Sequence, residues 1–217
     1  MNPSTGCCSR GISLYIWTVM VDTLIQLDRE LFLFFNGLHS PVFDSIMWWV
    51  SGKTTWWPFY LALLGYLTWK QRWNMVPLVI FIALSVTLTD QTSVHLFKNV
   101  FMRLRPCHEP ALEGLVHIVN NKCGGQYGFV SSHAANTFGV AVLVALVIRR
   151  SWFTALMIFW AALVSYSRVY LGVHYPGDIL GGAILGALCG WLVYLAFRYV
   201  SSRLPRSWRM EPEQNAH

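Results

Sequence analysis

The sequence has few charged residues for its length. Lysine and arginine together number 16 and aspartate and glutamate 10, so charged residues fill 12% of the 217 positions. Soluble domains carry about 25% charged residues. Hydrophobic residues make up 55% of the chain, and its mean hydropathy is +0.44. This composition excludes an ordinary soluble domain and predicts an integral membrane protein with a single domain.

Two further absences narrow the function. The basic residues are scattered in short groups, with no basic face and no aromatic RNA-binding motif, so the net charge of +6 does not predict a nucleic-acid partner. The five cysteines show no C-x-x-C spacing, so the sequence predicts no zinc site. We expect no metal and no cofactor, and the partners that we expect are the lipid bilayer and its components.

Long apolar runs predict an all-α membrane protein, a bundle of about five transmembrane helices. An amphipathic segment, 22–38, precedes them and carries Asp28, Arg29 and Glu30 in its middle. These charges would cost several kcal/mol at the bilayer centre, so the segment predicts an N-terminal interfacial helix. The five apolar runs cover about 55–69, 75–100, 131–148, 152–170 and 178–197.

Polar residues that suit phosphate chemistry lie at the ends of these runs, in three motifs. They read K-x6-RP at 98–106, SSH at 131–133 and SR-x5-H-x3-D at 167–178. A guanidinium binds phosphate oxygens through a fork of donors, and an imidazole attacks phosphorus or carries a proton. If the chain turns helical near Pro176, His174 and Asp178 share one face, and the carboxylate holds the imidazole in one tautomer.

Taken in this order, the three motifs resemble those of the type 2 phosphatidic acid phosphatase (PAP2) family of membrane lipid phosphatases, which shares its phosphate site with the vanadium haloperoxidases. The resemblance implies that His174 is the nucleophile and forms a phosphohistidine, that Asp178 orients it, and that His133 protonates the leaving group. It implies no metal, since the site supplies its own positive charge. The residues that it assigns to phosphate binding are Lys98, Arg105, Ser131, Ser132 and Arg168.

One motif departs from the family pattern. This chain has Val130 and Ser132 where the family has proline and glycine. The loss of proline removes a fixed entry to the helix, and Ser132 brings a β-carbon close to the phosphate. The shape of this loop and the role of Ser132 are therefore left open by the resemblance.

Basic residues predict the orientation of the bundle. Lys70 and Arg72 follow the first run, Arg149 and Arg150 follow the third, and further arginines follow the fifth. By the positive-inside rule these loops face the cytoplasm, so the motifs face the opposite, extracytoplasmic side. We divide the chain into an N-terminal extension (1–21), an interfacial helical region (22–54), a membrane phosphatase core (55–198) and a cytoplasmic tail (199–217).

The resemblance favours a phosphatase that hydrolyses the phosphate monoester or diphosphate of an envelope lipid in a bacterial inner membrane, with its active site facing the periplasm or exterior. Lipid A phosphate and undecaprenyl diphosphate lead the substrate candidates. The alternatives are phosphatidylglycerol phosphate and phosphatidic acid. A protein that binds or transports a lipid phosphate without turnover is a rival, but binding alone needs neither His133 nor His174. A haloperoxidase-like enzyme is disfavoured by the membrane spans.

Several polar residues outside the motifs have a plainer interpretation. We expect Asp90 to make a structural hydrogen bond. Arg103 and Lys122 could steer a multiply charged head group, but we expect solvated loop charges. Tyr170 and Tyr175 could line the site, but we expect them to belong to the membrane-surface belt. Histidines 95, 108 and 117 are expected to be packing or loop residues.

Cysteine and glycine positions give two further expectations. Cys107 and Cys123 lie in one loop on the predicted extracytoplasmic side, where they form either a disulfide or two unpaired thiols. Cys189 lies midway along the fifth run, so we expect a buried thiol there. The glycines of that run at small-xxx-small spacing predict close helix packing and are Gly182, Gly186 and Gly190.

Overall fold

The chain is an all-α integral membrane protein, as its composition predicts. The computed structural model describes residues 6–71 and 75–203. Within these ranges the only strand-like feature is an isolated antiparallel bridge between Leu104 and Tyr127. The helices are α1 (Gly6–Gly37), α2 (Pro41–Ser51), α3 (Trp57–Gln71), α4 (Val76–Thr92), α5 (Asn99–Phe101), α6 (Ser132–Ile148), α7 (Ser151–Tyr170) and α8 (Pro176–Arg203).

In the described part of the chain, three helical stretches are long and apolar enough to cross a membrane: Val76–Phe101, Ser151–Tyr170 and Pro176–Arg203. The first includes α4 and α5, which a π-helical segment, Ser93–Lys98, joins into one rod. α6 is also apolar but has only 17 residues, and α3 has 15. At 1.5 Å per residue these two helices are about 25 and 22 Å long. That they also span the bilayer stays a prediction.

Large apolar side chains cover the outer faces of the long helices. The exposed ones include Leu84, Leu96, Phe159, Leu180 and Leu188. Soluble monomers rarely expose extended apolar patches of this kind. These faces therefore suit contact with acyl chains.

α6 lies at the centre of the bundle, where it packs against α4, α7 and α8. Its contact with α8 is close because glycines face it. A β-carbon added to Gly186 would lie 2.2 Å from the carbonyl oxygen of Ala135, and one added to Gly190 would lie 2.4 Å from that of Gly139. The prediction that glycines of the last run allow close helix approach is confirmed.

α1 differs from the prediction at its beginning. It is one continuous helix of 32 residues, Gly6–Gly37, so the prediction of a helix beginning at Asp22 after a separate extension was wrong. No proline interrupts this stretch, and its apolar patch at 12–21 runs directly into the amphipathic segment. Asp28 and Arg29 form ion pairs with Arg103 and Glu109. The charges that favoured an interfacial helix thus have partners within the bundle.

The polar loop between α5 and α6 folds as a series of 3₁₀ turns. A disulfide joins Cys107 to Cys123, whose Cα atoms are 5.9 Å apart. The free thiol of Cys189 is buried, as predicted. Residues 1–5, 72–74 and 204–217 lie outside the described residues, so the predictions for Arg72 and for most of the tail fall there.

Candidate active site

Helix ends bring the three motifs together at one end of the bundle. Lys98 closes the π-helical segment, Ser131 caps the beginning of α6, and Arg168 lies in the last turn of α7. His174 lies in the turn between α7 and α8, and Asp178 lies in the first turn of α8. The N-termini of α6 and α8 lie at the same end of the bundle as the C-terminal end of the rod that begins with α4 and the C-terminus of α7. The motif residues at these helix ends therefore surround one small volume.

His174 lies at the centre of this volume and is 1% exposed. Its Nδ1 is 3.3 Å from Oδ2 of Asp178, which also accepts a hydrogen bond from the backbone N–H of Tyr175. Its Nε2 is 3.3 Å from Nη1 of Arg105. This arrangement is consistent with a proton on Nδ1 and a lone pair on Nε2. The pKa of His174 is lowered well below 6.5 by burial first and then by the nearby cations of Arg105, Arg168 and Lys98, so the imidazole is neutral.

Arg105 is held against His174 by backbone carbonyls. Its Nε donates to the carbonyl of Tyr127 and its Nη1 donates to that of Val173. Burial lowers the pKa of Arg105 and the charge of Asp178 raises it, but a guanidinium keeps its proton at physiological pH. Arg105 therefore presents a fixed, charged fork beside the imidazole.

Ser132, whose role the family motif leaves open, contacts Lys98 and Ser93 in the structure. Its Oγ accepts a 2.7 Å hydrogen bond from Nζ of Lys98 and lies 2.7 Å from Oγ of Ser93. Ser93 begins the π-helical segment, and such segments occur frequently at functional sites. The serine hydroxyl thus fixes the ammonium of Lys98 at the edge of the site.

Two buried donors at the site lack a partner within the described part of the chain. Ser131 is 0% exposed, and its Oγ has no hydrogen-bond partner among the described residues, nor has Nε of Arg168. Nη1 of Arg168 donates to Oγ of Ser51 in α2. Buried polar atoms are normally satisfied, so these two indicate a place for a bound acceptor such as a phosphate oxygen.

His133 lies in the first turn of α6 and is partly exposed. Its ring lies within electrostatic range of Arg168, His174, Lys53 and Lys98. It is thus on the same side of the site as the cations but nearer to solvent than His174. This position suits a group that exchanges a proton with a departing oxygen.

Arg103 is part of the site, so the prediction that it is a solvated loop charge was wrong. Its Nη1 donates to Oδ1 of Asp178 at 2.9 Å, and its Nη2 donates to Oδ2 of Asp28 at 2.7 Å. In the sequence, Asp28 was interpreted only as a charge of the interfacial helix and not as part of the site. An ionisable residue within an apolar helix is a functional candidate by default, and that signal was available for Asp28.

His117 is also more than a loop residue. Its ring stacks on that of His39, with centroids 3.8 Å apart, and its Nε2 is 3.0 Å from Oδ2 of Asp44. Its backbone N–H donates to Oδ1 of Asn36, while Nδ2 of Asn36 donates to its carbonyl. The loop is thereby fixed to α1 and α2.

The other plain interpretations have mixed outcomes. Tyr170 and Tyr175 are buried, so the prediction that they form part of a surface belt was wrong. The hydroxyl of Tyr170 donates to Asp44. Lys122 is exposed and lies over the ring of Trp48, and His108 is an exposed loop residue.

Asp90 is partly buried on α4, where its charge lies close enough to interact with that of Lys98.

A metal-ligand group occurs once in the described ranges, at Cys107, His108 and Cys123. Its two thiols are joined as a disulfide, and a disulfide sulfur is not the thiolate that binds metals. These residues in their oxidised form therefore do not fit a metal. Around His174, the charged groups that face the buried volume are cations and one carboxylate, which favours an anion.

An all-α membrane bundle with an anion site of this kind, built around a neutral histidine, defines a membrane phosphatase. The sequence profile described as the PAP2 superfamily matches residues 74–202. The chain belongs to the PAP2 superfamily and is a lipid phosphate phosphatase.

Curated relatives cover most of the chain. It is 41% identical over 187 residues to a lipid A 4'-phosphatase of Bacteroides thetaiotaomicron, an alignment that covers 85% of this chain and 83% of that protein. It is 34% identical over 184 residues to a lipid A 4'-phosphatase of Porphyromonas gingivalis, covering 84% and 78%. It is also 29% identical to an undecaprenyl-diphosphatase of Sulfolobus acidocaldarius, covering 88% and 87%.

Two solved structures share the fold. The crystal structure of LpxE from Aquifex aeolicus aligns with a TM-score of 0.57 at 24% identity, covering 77% of this chain and 94% of that one. The transmembrane PAP2-type phosphatidylglycerolphosphate phosphatase of Bacillus subtilis aligns with a TM-score of 0.61 at 20% identity, covering 90% and 97%. At these identities the likeness concerns the fold alone.

Proposed function

We propose that this protein removes the 4'-phosphate of lipid A at the extracytoplasmic face of the membrane, through a phosphohistidine on His174. The observation that carries the choice of substrate is the similarity, over more than four fifths of this chain, to two proteins named lipid A 4'-phosphatase. The observation that carries the chemistry is the cluster of cations around a buried neutral imidazole.

The phosphate group binds among Lys98, Arg105 and Arg168. Charge-assisted hydrogen bonds from these cations stabilise the equatorial oxygens as the P–O bond breaks. Oγ of Ser131 and Nε of Arg168, which have no hydrogen-bond partner among the described residues, supply two more donors. Backbone N–H groups at the beginning of α6 add the field of a helix N-terminus.

His174 then attacks phosphorus through Nε2. The N–P bond forms as the bond from phosphorus to the lipid oxygen breaks, and His133, whose protonated form is stabilised by the bound anionic phosphate against the neighbouring cations, gives a proton to that oxygen. The imidazole becomes positively charged, and Asp178 stabilises it through Nδ1–H. In the second step His133 takes a proton from water, the resulting hydroxide attacks phosphorus, and the N–P bond breaks to release inorganic phosphate.

The proposed orientation follows from the two ends of the bundle. α6 and α7 meet at Arg149 and Arg150, a helix length away from the ends that carry His133 and Arg168. A pair of basic residues favours the cytoplasm, so the catalytic end faces outward. With Cys7, Cys8 and Cys189 replaced by serine, a cysteine introduced at the exposed loop residue Glu113 or next to Arg150 would test this assignment in intact cells, and the proposal requires the first alone to react with an impermeant maleimide.

The function is tested with purified protein and lipid A that carries both phosphates. We expect release of inorganic phosphate, a remaining phosphate at the 1-position by mass spectrometry, and an acid-labile phosphoenzyme. His174→Ala should lower turnover more than about 10³-fold because no covalent route remains. His108→Ala, a change to an exposed loop histidine, is the matched control. Activity in the His174 variant, or a requirement for an added metal that EDTA removes, would contradict the mechanism.

Undecaprenyl diphosphate is a second candidate substrate. The 29% identical relative from Sulfolobus acidocaldarius carries the name undecaprenyl-diphosphatase, and the same cations bind a diphosphate. Both lipids should be assayed side by side at equal mole fraction in mixed micelles. A kcat/KM for undecaprenyl diphosphate above that for lipid A would transfer the assignment to the second candidate.

A further inference from the structure

Arg103 lies between two carboxylates that come from opposite ends of the chain. Its Nη1 is 2.9 Å from Oδ1 of Asp178, and its Nη2 is 2.7 Å from Oδ2 of Asp28. The guanidinium carbon lies 4.1 Å from the ring centroid of Tyr175, so a buried aromatic face supports the third side of the cation. Few positions remain for this group, and the arginine is therefore held rigidly.

Arg103 and Arg105 are two residues apart but have different surroundings. Arg105 contacts Nε2 of His174 and is otherwise bonded to neutral carbonyls. Arg103 has both terminal nitrogens occupied by carboxylates. A phosphate would have to displace one of these ion pairs to bind Arg103. Arg105 is thus arranged to bind an anion, and Arg103 is arranged to hold a carboxylate.

Asp28 connects this cluster to α1, which precedes the part of the chain that the superfamily profile matches. Its Oδ1 accepts a 2.7 Å hydrogen bond from the backbone N–H of Gly177, in the first turn of α8. A β-carbon on Gly177 would lie 2.7 Å from Oδ2 of Asp28, so only glycine lets the carboxylate approach. Asp28 therefore bonds both Arg103 and the helix that carries Asp178.

Asp178 has a defined orientation as a result. It is 0% exposed, with Oδ1 facing Arg103 and Oδ2 facing Nδ1 of His174 and the N–H of Tyr175. A buried carboxylate without a cation is costly to keep ionised. If it rotated or took up a proton, His174 would lose the carboxylate that accepts from Nδ1–H, and only Arg105 at Nε2 and a backbone hydrogen bond to Gly128 would still favour this tautomer.

We propose that Asp28 and Arg103 are positioning residues that hold Asp178 in place and thereby keep His174 in the Nδ1–H tautomer, with Nε2 free to attack. The inference rests on the proposed role of His174 as nucleophile. It extends the His–Asp pair to a chain of four residues: His174, Asp178, Arg103 and Asp28.

The kinetic test compares Arg103→Gln, Arg103→Lys and Asp28→Asn with Asp22→Asn, which changes an exposed aspartate on the same helix. Arg103→Gln should lower kcat about 10²-fold or more with KM changed less than about threefold, because the loss falls on the transition state. Asp28→Asn should lower kcat about tenfold, Arg103→Lys should restore part of the loss, and Asp22→Asn should be silent. Asp28→Asn should add little in the Arg103→Gln background, since the two residues act as a unit.

The decisive readout needs no turnover. Nitrogen-15 spectra of His174 in the substrate-free protein, assigned with His174→Gln, should show the Nδ1–H tautomer in the wild type. They should show a mixture in Arg103→Gln at unchanged thermal stability. An unchanged tautomer would overturn this inference even if the phosphatase mechanism stands. A raised KM with unchanged kcat would also overturn it, because Arg103 would then be a phosphate ligand. If His174→Ala keeps its activity, the proposed function fails, and the tautomer result still decides what Arg103 does.

Discussion

The two halves of this molecule are held together by different forces. Between α6 and α8 the glycines bring backbone against backbone, so that a β-carbon at Gly182 would lie 2.6 Å from the carbonyl oxygen of Ser131. Between α1 and the rest of the bundle, apolar side chains such as Phe32, which is 0% exposed and packs on Tyr175, share the contact with a few polar side chains that form hydrogen bonds. Asn36 and Asp28 supply most of these hydrogen bonds.

The difference separates two requirements of one site. The cations and His133 need fixed distances between helix ends, and close-packed helices have little freedom to slide. The carboxylate chain behind His174 needs directed hydrogen bonds, which a surrounding helix supplies without touching the phosphate. Variants that crowd the glycines should therefore prevent folding, whereas variants of the polar contacts should leave a protein that folds but has lower stability or a misplaced catalytic group.

The largest effect is expected from Gly186→Leu. The new side chain would enter space that the backbone of Ala135 occupies, so α6 and α8 cannot keep their separation. Overpacking of this kind costs more than about 3 kcal/mol when backbone must move. We expect almost no folded monomer on size-exclusion chromatography in detergent. Gly65→Leu, where no atom of the described residues lies within 4 Å of the new β-carbon, is the matched control and should fold normally.

Gly128→Ala should inactivate a protein that still folds. Its β-carbon would lie 2.9 Å from Oδ2 of Asp178 and 3.2 Å from Cγ of Arg105. Both side chains would have to move, and a misplacement of about 1 Å at a reacting centre can cost about 10²-fold in rate. Steady-state kinetics on the purified variant measures the loss. Gly125→Ala, in the same loop with open space around it, should keep at least half of the activity.

Asn36→Ala tests the polar half. Asn36 is 1% exposed. Its side chain accepts a hydrogen bond from the backbone N–H of His117 and donates to the carbonyls of His117 and Tyr170. Each buried group left unpaired costs about 1–3 kcal/mol, so we expect a loss of about 3 kcal/mol and a drop in Tm of about 6–12 °C. A thermal scan in detergent measures it. The control, Gln26→Ala, changes an exposed residue of α1, and an equal drop there would contradict the assignment.

Ser132→Gly restores the residue that the family motif carries, and should have a small effect. The change removes the hydroxyl that accepts a hydrogen bond from Nζ of Lys98. Without it the ammonium is less well positioned, so the substrate should bind less tightly. The more highly charged transition state attracts Lys98 more strongly, so the catalytic step should be less affected. We expect KM to rise about threefold with kcat nearly unchanged. A loss of kcat above about tenfold would mean that Ser132 takes part in the chemistry.

The smallest effect concerns pH. Since the pKa of His174 lies well below 6.5, its imidazole is neutral above that lowered value and gains a proton only when the pH falls through it. At about pH 6, where an ordinary histidine is mostly protonated, His174 should therefore still be neutral. Its nitrogen-15 spectrum should show no imidazolium between about pH 8 and pH 6. A midpoint near 6.5 would show that the cations and burial act more weakly than the structure indicates.

Local patterns predicted the first half of the molecule well. Glycine spacing in the last apolar run pointed to close packing, and motif residues at the ends of apolar runs pointed to a common site. The spacing of four residues between Gly182, Gly186 and Gly190 can be read directly from the sequence. The helix that faces those glycines was not predicted, because pairing of α6 with α8 depends on the whole bundle.

The polar contacts of α1 could not be predicted from the sequence, because they join positions that are far apart along the chain. Asp28 and Arg103 are 75 residues apart, and Asn36 and His117 are 81 apart. Each residue alone has an ordinary explanation as a surface charge or a helix terminator. The beginning of α1 was missed for a related reason, since the charges at 28–30 suggested a surface helix whereas Asp28 and Arg29 have partners in the loop and at α8.

The exposed leucines and phenylalanines on α4, α7 and α8 have a consequence for how the enzyme must be measured. A substrate whose acyl chains remain among these helices reaches the helix ends by diffusing in two dimensions. The quantity that sets its encounter rate is then its mole fraction in the membrane, not its concentration in the test tube. Adding inert detergent at constant total lipid A should slow the reaction by surface dilution, while adding water should not.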